Sequence, residues 1–240
     1  NVSNDPIIMN PNSGNVGIGV TSPTASLHVY GTTHSPSASQ FVVDTVAGGD
    51  VGMEFRQAGG TRRGRMYFKD SGNTLNISGT TYSGDDYTDD IVISLAGEVT
   101  MPNQPAFAAA SPGQLNLAQT QAVTVTFSTE IYDQNGDFDS SATFTAPVTG
   151  KYLFCYSLYI SSIQSDCTAL GVTIKTSNRV YETWRAWDDL AEAEAYWSFT
   201  GSHVCDLDAS DTAYIYVYYT GGSADMDIHG DSRFSGALIC

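Results

Sequence analysis

Between residues 181 and 197 three tryptophans and a tyrosine bracket a pair of carboxylates: Tyr181, Trp184, Trp187 and Trp197 around Asp188 and Asp189. Aromatic faces stack on the C–H faces of a sugar ring, and carboxylates accept its hydroxyls. Tyr181, Trp184, Trp187, Asp188 and Asp189 are therefore the candidate receptor-binding set. Ordinary core or subunit packing competes with that reading and ranks ahead of it, because tryptophan is largely buried on average. No other cluster points to catalysis. The four histidines, His28, His34, His203 and His229, have no paired spacing, and no serine sits in a nucleophile-elbow pattern. Cys155, Cys167, Cys205 and Cys240 include no close pair of the zinc-binding kind. Gly14, Gly17 and Gly19 lack the strand-to-helix context of a dinucleotide loop. Asp133-Gln134-Asn135-Gly136-Asp137-Phe138-Asp139 alternates oxygens as a calcium loop does, but has no distal bidentate glutamate, so a turn is expected. No pair of facing carboxylates for glycoside cleavage is visible. No catalytic residues are assigned, and the protein is read as a non-enzyme.

The elements that must carry these residues are strands. Only 15% of the 240 residues are charged, and fourteen tyrosines and ten phenylalanines fall in short alternating runs, which predicts an all-β architecture. Lys151 to Ile160 puts Tyr152, Phe154, Tyr156, Leu158 and Ile160 on one face. Thr212 to Tyr219 puts Tyr214, Tyr216 and Tyr218 on one face and Ile215, Val217 and Tyr219 on the other, a pattern of burial on both sides. Upstream, short strands are expected at 16–20, 26–30, 40–45, 52–57, 65–69, 74–78 and 91–95, divided by Gly48-Gly49-Asp50, Gly59-Gly60 and Ser71-Gly72-Asn73. These strands are too short and polar for a strong monomeric core. Asp188 to Ala195 reads as a helical turn or a loop entering a strand. Met101-Pro102-Asn103-Gln104-Pro105 places two prolines in four residues, an extended connector. The expected organisation is a β-rich shaft region over 1–101, a connector over 102–105 and a head over 106–240.

A net charge of −16 disfavours nucleic-acid partners and anionic membranes. Five of the ten basic residues, Arg56, Arg62, Arg63, Arg65 and Lys69, crowd one hairpin-like stretch, read as a solvated turn rather than a binding patch. No apolar run is long enough to span a membrane as a helix, so membrane insertion is not expected.

Two resemblances add to this. Phe127, Asp133, Phe138, Phe144 and Gly150-Lys151-Tyr152-Leu153-Phe154-Cys155-Tyr156, closed by Ser232-Arg233-Phe234-Ser235-Gly236-Ala237-Leu238, resemble the globular head of the C1q and tumour-necrosis-factor-like superfamily over about residues 105 to 240. The spacing between the second and third aromatics is one residue shorter than the family's usual. Gly14-Asn15-Val16-Gly17-Ile18-Gly19-Val20-Thr21-Ser22-Pro23 followed by Leu27-His28-Val29 resembles a motif of bacteriophage tail fibres, with Val20 where threonine is usual. There the glycines are expected to let three backbones meet while Val16, Ile18 and Val20 alternate inward.

The first resemblance implies a jelly-roll sandwich assembled as a homotrimer, with Tyr152, Tyr214, Tyr216, Tyr218 and Phe234 as interface candidates. It also implies that strands starting near Cys167 and ending near Cys205 are neighbours, so a Cys167–Cys205 disulfide is weighed against two free thiols. It further implies that Asp166, Asp206, Asp208, Asp211 and Asp231 gather at one apex. There a calcium ion is weighed against a solvated acidic rim, with the rim ranked first. Together the resemblances imply a phage tail-fibre or spike tip, located on the virion, that binds a host cell-surface glycan or protein and joins upstream fibre or tail proteins. A secreted or surface-attached bacterial adhesin is the alternative, and a glycan-cleaving spike enzyme ranks last.

Overall fold

A strand with an apolar residue at every second position buries one face and leaves the other free, and the longest element follows that rule over its whole length. In the computed structural model, which describes residues 7–9, 15–18, 20, 22–29, 49–56, 62–79, 89–186, 193–221 and 226–240, Gly150–Ile163 is a fourteen-residue strand whose Tyr152, Phe154, Tyr156, Leu158 and Ile160 are all buried. The chain divides into two compact units, Asn1–Tyr87 with Val92–Val99 and Thr88–Ile91 with Thr100–Cys240.

The upstream unit is assembled from short strands. β1 (Ile7–Met9), β2 (Val16–Ile18) and β3 (Leu27–Val29) make a small sheet in which β2 and β3 run parallel. Gly17 is needed in β2, since a Cβ there would lie 2.6 Å from the Val20 carbonyl oxygen. Ile18 and Leu27 are exposed. A second sheet has the order β4 (Val51–Arg56), β5 (Arg62–Lys69), β6 (Thr74–Ser78), β7 (Ile91–Ser94), β8 (Val99–Thr100). The Asp70–Gly72 turn between β5 and β6 closes on Asn73 in the left-handed region at φ 50°. The Arg65 guanidinium lies 3.6 Å over the Tyr67 ring. The strand expected over 40–45 and the turn at Gly59-Gly60 lie outside the described residues.

The downstream unit carries β9 (Ala106–Ala110), β10 (Gln114–Leu117), β11 (Val123–Thr124), β12 (Thr129–Asp133), β13 (Phe144–Thr145), β14 (Gly150–Ile163), β15 (Cys167–Thr176), β16 (Val180–Ala186), β17 (Glu194–Leu207), β18 (Thr212–Gly221), β19 (Met226–Ile228) and β20 (Arg233–Leu238). One sheet runs β10-β19-β14-β20-β9-β12, with β17 on the other edge of β14. The other runs β11-β18-β15-β16, with β13 also on β18. The result is a jelly-roll sandwich, all-β as the alternation implied.

Phenylalanines fill the space between the sheets. Phe107 stacks on Phe138 at 4.3 Å between centroids and meets Phe234 edge-on at 5.1 Å, while Phe144 and Phe154 close the cluster. Gly236 keeps β20 close to this cluster, because a Cβ there would stand 2.5 Å from the Phe154 ring. The acidic loop after β12 is a turn: Asp133 accepts from the backbone N–H groups of Gly136, Asp137 and Phe138 at 3.0, 3.1 and 2.8 Å, with Gly136 at φ 73°.

Two of the expected interface residues belong to this core instead. Tyr152 and Phe234 are wholly buried within the single chain, and the Tyr152 hydroxyl donates to the Val148 carbonyl. The alternation of β14 groups Tyr152 with Phe154 and Tyr156, and that face points into the sandwich; Phe234, on β20, points the same way. Tyr214, Tyr216 and Tyr218 do point away from the core, half-buried, while Ile215, Val217 and Tyr219 point in.

Candidate functional site

Side-chain direction along β16 decides which aromatics can act together. Its positions alternate, and Tyr181 and Trp184, three residues apart, fall on opposite faces. Tyr181 turns inward, 5.3 Å from the His203 ring and against the Cys205 thiol. Burial, with Cys205 beside it, pushes the Tyr181 hydroxyl up to about 12, and burial pushes the Cys205 thiol up to about 11. Both are neutral at ordinary pH. Trp197 also faces the seam between the sheets, under the Arg185 guanidinium at 4.9 Å. Trp187, Asp188 and Asp189 lie outside the described residues.

Trp184 turns outward and is 48% exposed. Its indole lies flat on the sheet because the neighbouring residue of β15 is Gly171, where a Cβ would come within 2.8 Å of the ring. The indole Nε1 donates to Glu182 Oε2 at 3.1 Å, and the ring meets Tyr218 at 5.8 Å between centroids. Strand register extends this into rows across β16, β15 and β18: Trp184, Gly171 and Tyr218; Glu182, Thr173 and Tyr216; Val180, Lys175 and Tyr214. Gly171, Thr173, Lys175 and Glu182 escaped the sequence reading. Glu182 was legible from parity with Trp184; the β15 residues needed the strand pairing.

The five carboxylates assigned to one apex do not form one cluster. Asp206, Asp208 and Asp211 sit at the end of the sandwich that holds Gly150 and the chain terminus, where Leu207 pairs with Gly150 and the Lys151 N–H donates to the Cys240 carbonyl. Asp166 lies at the other end, beside Gly221. Asp231 lies near neither, held by His229 Nδ1 at 3.2 Å. The antiparallel return of β17 along β14 carries 206–211 back to the terminus end, which explains the error. There Arg179 Nε and Nη2 bind Asp206 at 3.0 and 3.1 Å, holding its carboxyl below the usual carboxylate range, and Asn178 donates to Asp211 at 2.6 Å. A cavity of about 370 Å³ opens beside them, lined by Lys151, Asp206, Asp208 and Cys240 among others. Among the described residues no group of three or more His, Cys, Asp or Glu is placed to hold a metal.

The Cys167–Cys205 pairing is likewise corrected. β15 pairs with β16 and β18 in one sheet, while β17 pairs with β14 in the other. Cys167 begins β15 at the Asp166 end, Cys205 lies at the terminus end, and both thiols are free.

The opposite outer face is flat. Ala106, Ala108, Cys155, Ser202, Ser235 and Ala237 occupy outward positions on β9, β14, β17 and β20, joined by exposed Leu153 and Val204. No helix among the described residues is long and apolar enough to cross a membrane.

The profile of the C1q domain matches residues 106–239. Domains of that family form homotrimers, bind receptors and are typically extracellular, and they are binding or signalling folds rather than enzymes. Among solved structures, the globular domain of zebrafish complement 1qA is 22% identical, covering 57% of this chain and 98% of its own at a TM-score of 0.44. Murine APRIL at pH 8.0 is 11% identical, covering 57% of this chain and 99% of its own at a TM-score of 0.43. No curated protein matches the chain.

Proposed function

The chain belongs to the C1q domain family, and from that premise we propose that it is a homotrimeric, non-catalytic recognition head on a fibre, at the tip of a bacteriophage tail fibre or spike that attaches to a host-surface glycan or protein. The flat outer face of the β14 sheet carries this reading. Alanine, serine and cysteine at Ala106, Ala108, Cys155, Ser202 and Ser235 let another backbone approach closely, and exposed Leu153 and Val204 supply apolar area to bury. This replaces Tyr152 and Phe234 as the trimer contact.

The upstream unit supports the fibre half of the reading. Met53, Phe55, Met66, Leu75, Ile18 and Leu27 are all more than a third exposed in the single chain, as expected of strands that complete their burial against other copies. The wording of residues 14–29 supports a phage fibre over a complement-type protein. A bacterial surface adhesin with the same head is the second reading. Association of the protein with purified virions separates the two.

Mass in solution tests the assembly: three chains of 25.6 kDa are expected. A single-chain mass overturns the trimer. Release of oligosaccharides from host polysaccharide overturns the non-enzyme reading.

A further inference from the structure

We infer that the outer face of β15, β16 and β18 is a binding platform for a neutral glycan, centred on Trp184 and Thr173. This deepens the recognition reading above and rests on it for the setting, not for the geometry.

Trp184 is fixed rather than free. Gly171 beneath it leaves no side chain to lift the ring, and the Glu182 carboxylate holds the indole nitrogen at 3.1 Å. One ring face therefore lies on the sheet and the ring is half open to solvent, at low cost in side-chain entropy on binding. Tyr218 and Tyr216 extend the aromatic surface along β18. Rows of alternate residues on three strands cover about 10 Å across the strands and about 14 Å along them, room for a disaccharide lying flat.

Thr173 is the second, independent observation. It lies at the middle of the platform on the outward side of β15, wholly buried under its neighbours, and its hydroxyl has no hydrogen-bond partner. An unpaired buried hydroxyl costs free energy, and a ligand hydroxyl entering between the rings supplies the missing partner. Glu182 and Lys175 flank it in the register with opposite charges, so the platform offers both an acceptor and a donor and carries no net charge of its own.

Charge selects the class of glycan. The chain carries −16, which repels sulfated, phosphorylated or sialylated sugars. Lys175 disfavours a quaternary ammonium, the other ligand that aromatic surfaces attract. A neutral pyranose pays neither penalty.

The test uses the full chain with maltose, lactose, cellobiose and chitobiose as neutral probes. Heparin and tetramethylammonium serve as charged controls, with binding followed by saturation-transfer NMR. At least one neutral disaccharide is expected to bind, about tenfold more weakly in Trp184→Ala and several-fold more weakly in Glu182→Gln. Circular dichroism confirms that each variant folds. Binding by none of the four, binding indifferent to both substitutions, or binding of only heparin or tetramethylammonium overturns the proposal. A trimeric mass with no sugar binding ends this inference and spares the head reading. Sugar binding by a single-chain species does the reverse.

Discussion

On the sheet centred on β14, the outward positions hold Ala106, Ala108, Cys155, Ser202 and Ser235; on the sheet of β15, β16 and β18, the equivalent positions hold Trp184, Tyr214, Tyr216 and Tyr218. Both surfaces obey the same two-residue period and enclose the same phenylalanine core. The difference lies in what the outward half of each period is asked to meet. Small side chains make a face that another backbone can approach closely, whereas rings held upright or flat on a sheet make one that reads side groups or sugars. On the readings proposed above, one sandwich divides assembly and recognition between its two outer faces.

The most damaging way to break the comparison is to remove what the faces share. Phe154 is wholly buried among Phe107, Phe144 and Phe234, so Phe154→Ala is expected to cost about 3–5 kcal/mol and to abolish both assembly and binding together. Denaturant titration by circular dichroism reads this directly. A smaller loss confined to one face means that the two sheets are not coupled through this cluster.

The next effect separates the faces. Ala108→Arg places a long cation on the flat face and is expected to reduce the solution mass threefold, with the far-UV spectrum and single-site sugar affinity retained. Sedimentation shows the mass; an unchanged trimer removes this face from the interface. A milder probe works at the seam where the sheets meet. With Cys205 at about 11 and Tyr181 at about 12, both raised above their unfolded values, the neutral forms stabilise the fold. That stability is complete below the unfolded pKa values of about 8.5 and 10 and is lost as pH climbs through 9 to 12. Tm measured across that range is expected to fall, and the fall should shrink in Cys205→Ser. The smallest effect is expected from Tyr214→Ser on the aromatic face, which should leave the solution mass unchanged; a loss of mass would return the tyrosines to the interface.

Much of this was written in local periodicity. The faces of β14 and β18 were legible from alternation alone, because a half-buried strand fixes which residues share a side. Alternation does not say which side is inward, and the resemblance put Tyr152 and Phe234 at an interface although the core claims both. The same parity argument applied to Tyr181 and Trp184 separates them, and Trp184 faces outward with its even-numbered neighbours Glu182 and Val180. What no local rule supplies is which strand ends meet. Asp206 and Asp166 lie at opposite ends because β17 runs back along β14, and Cys167 and Cys205 lie in different sheets for the same long-range reason. Gly171 and Thr173 became visible only once β15 was laid between β16 and β18.

The position of β9 has a mechanical consequence. It lies between β12 and β20, bonded to both along its length, and begins at Ala106, directly after Pro105. Tension drawn along the strand from Ala106 acts in shear on two hydrogen-bonded ladders at once. The bonds then share the load instead of unzipping one after another, so a pull on the chain at the start of β9 is borne by both of its neighbours together.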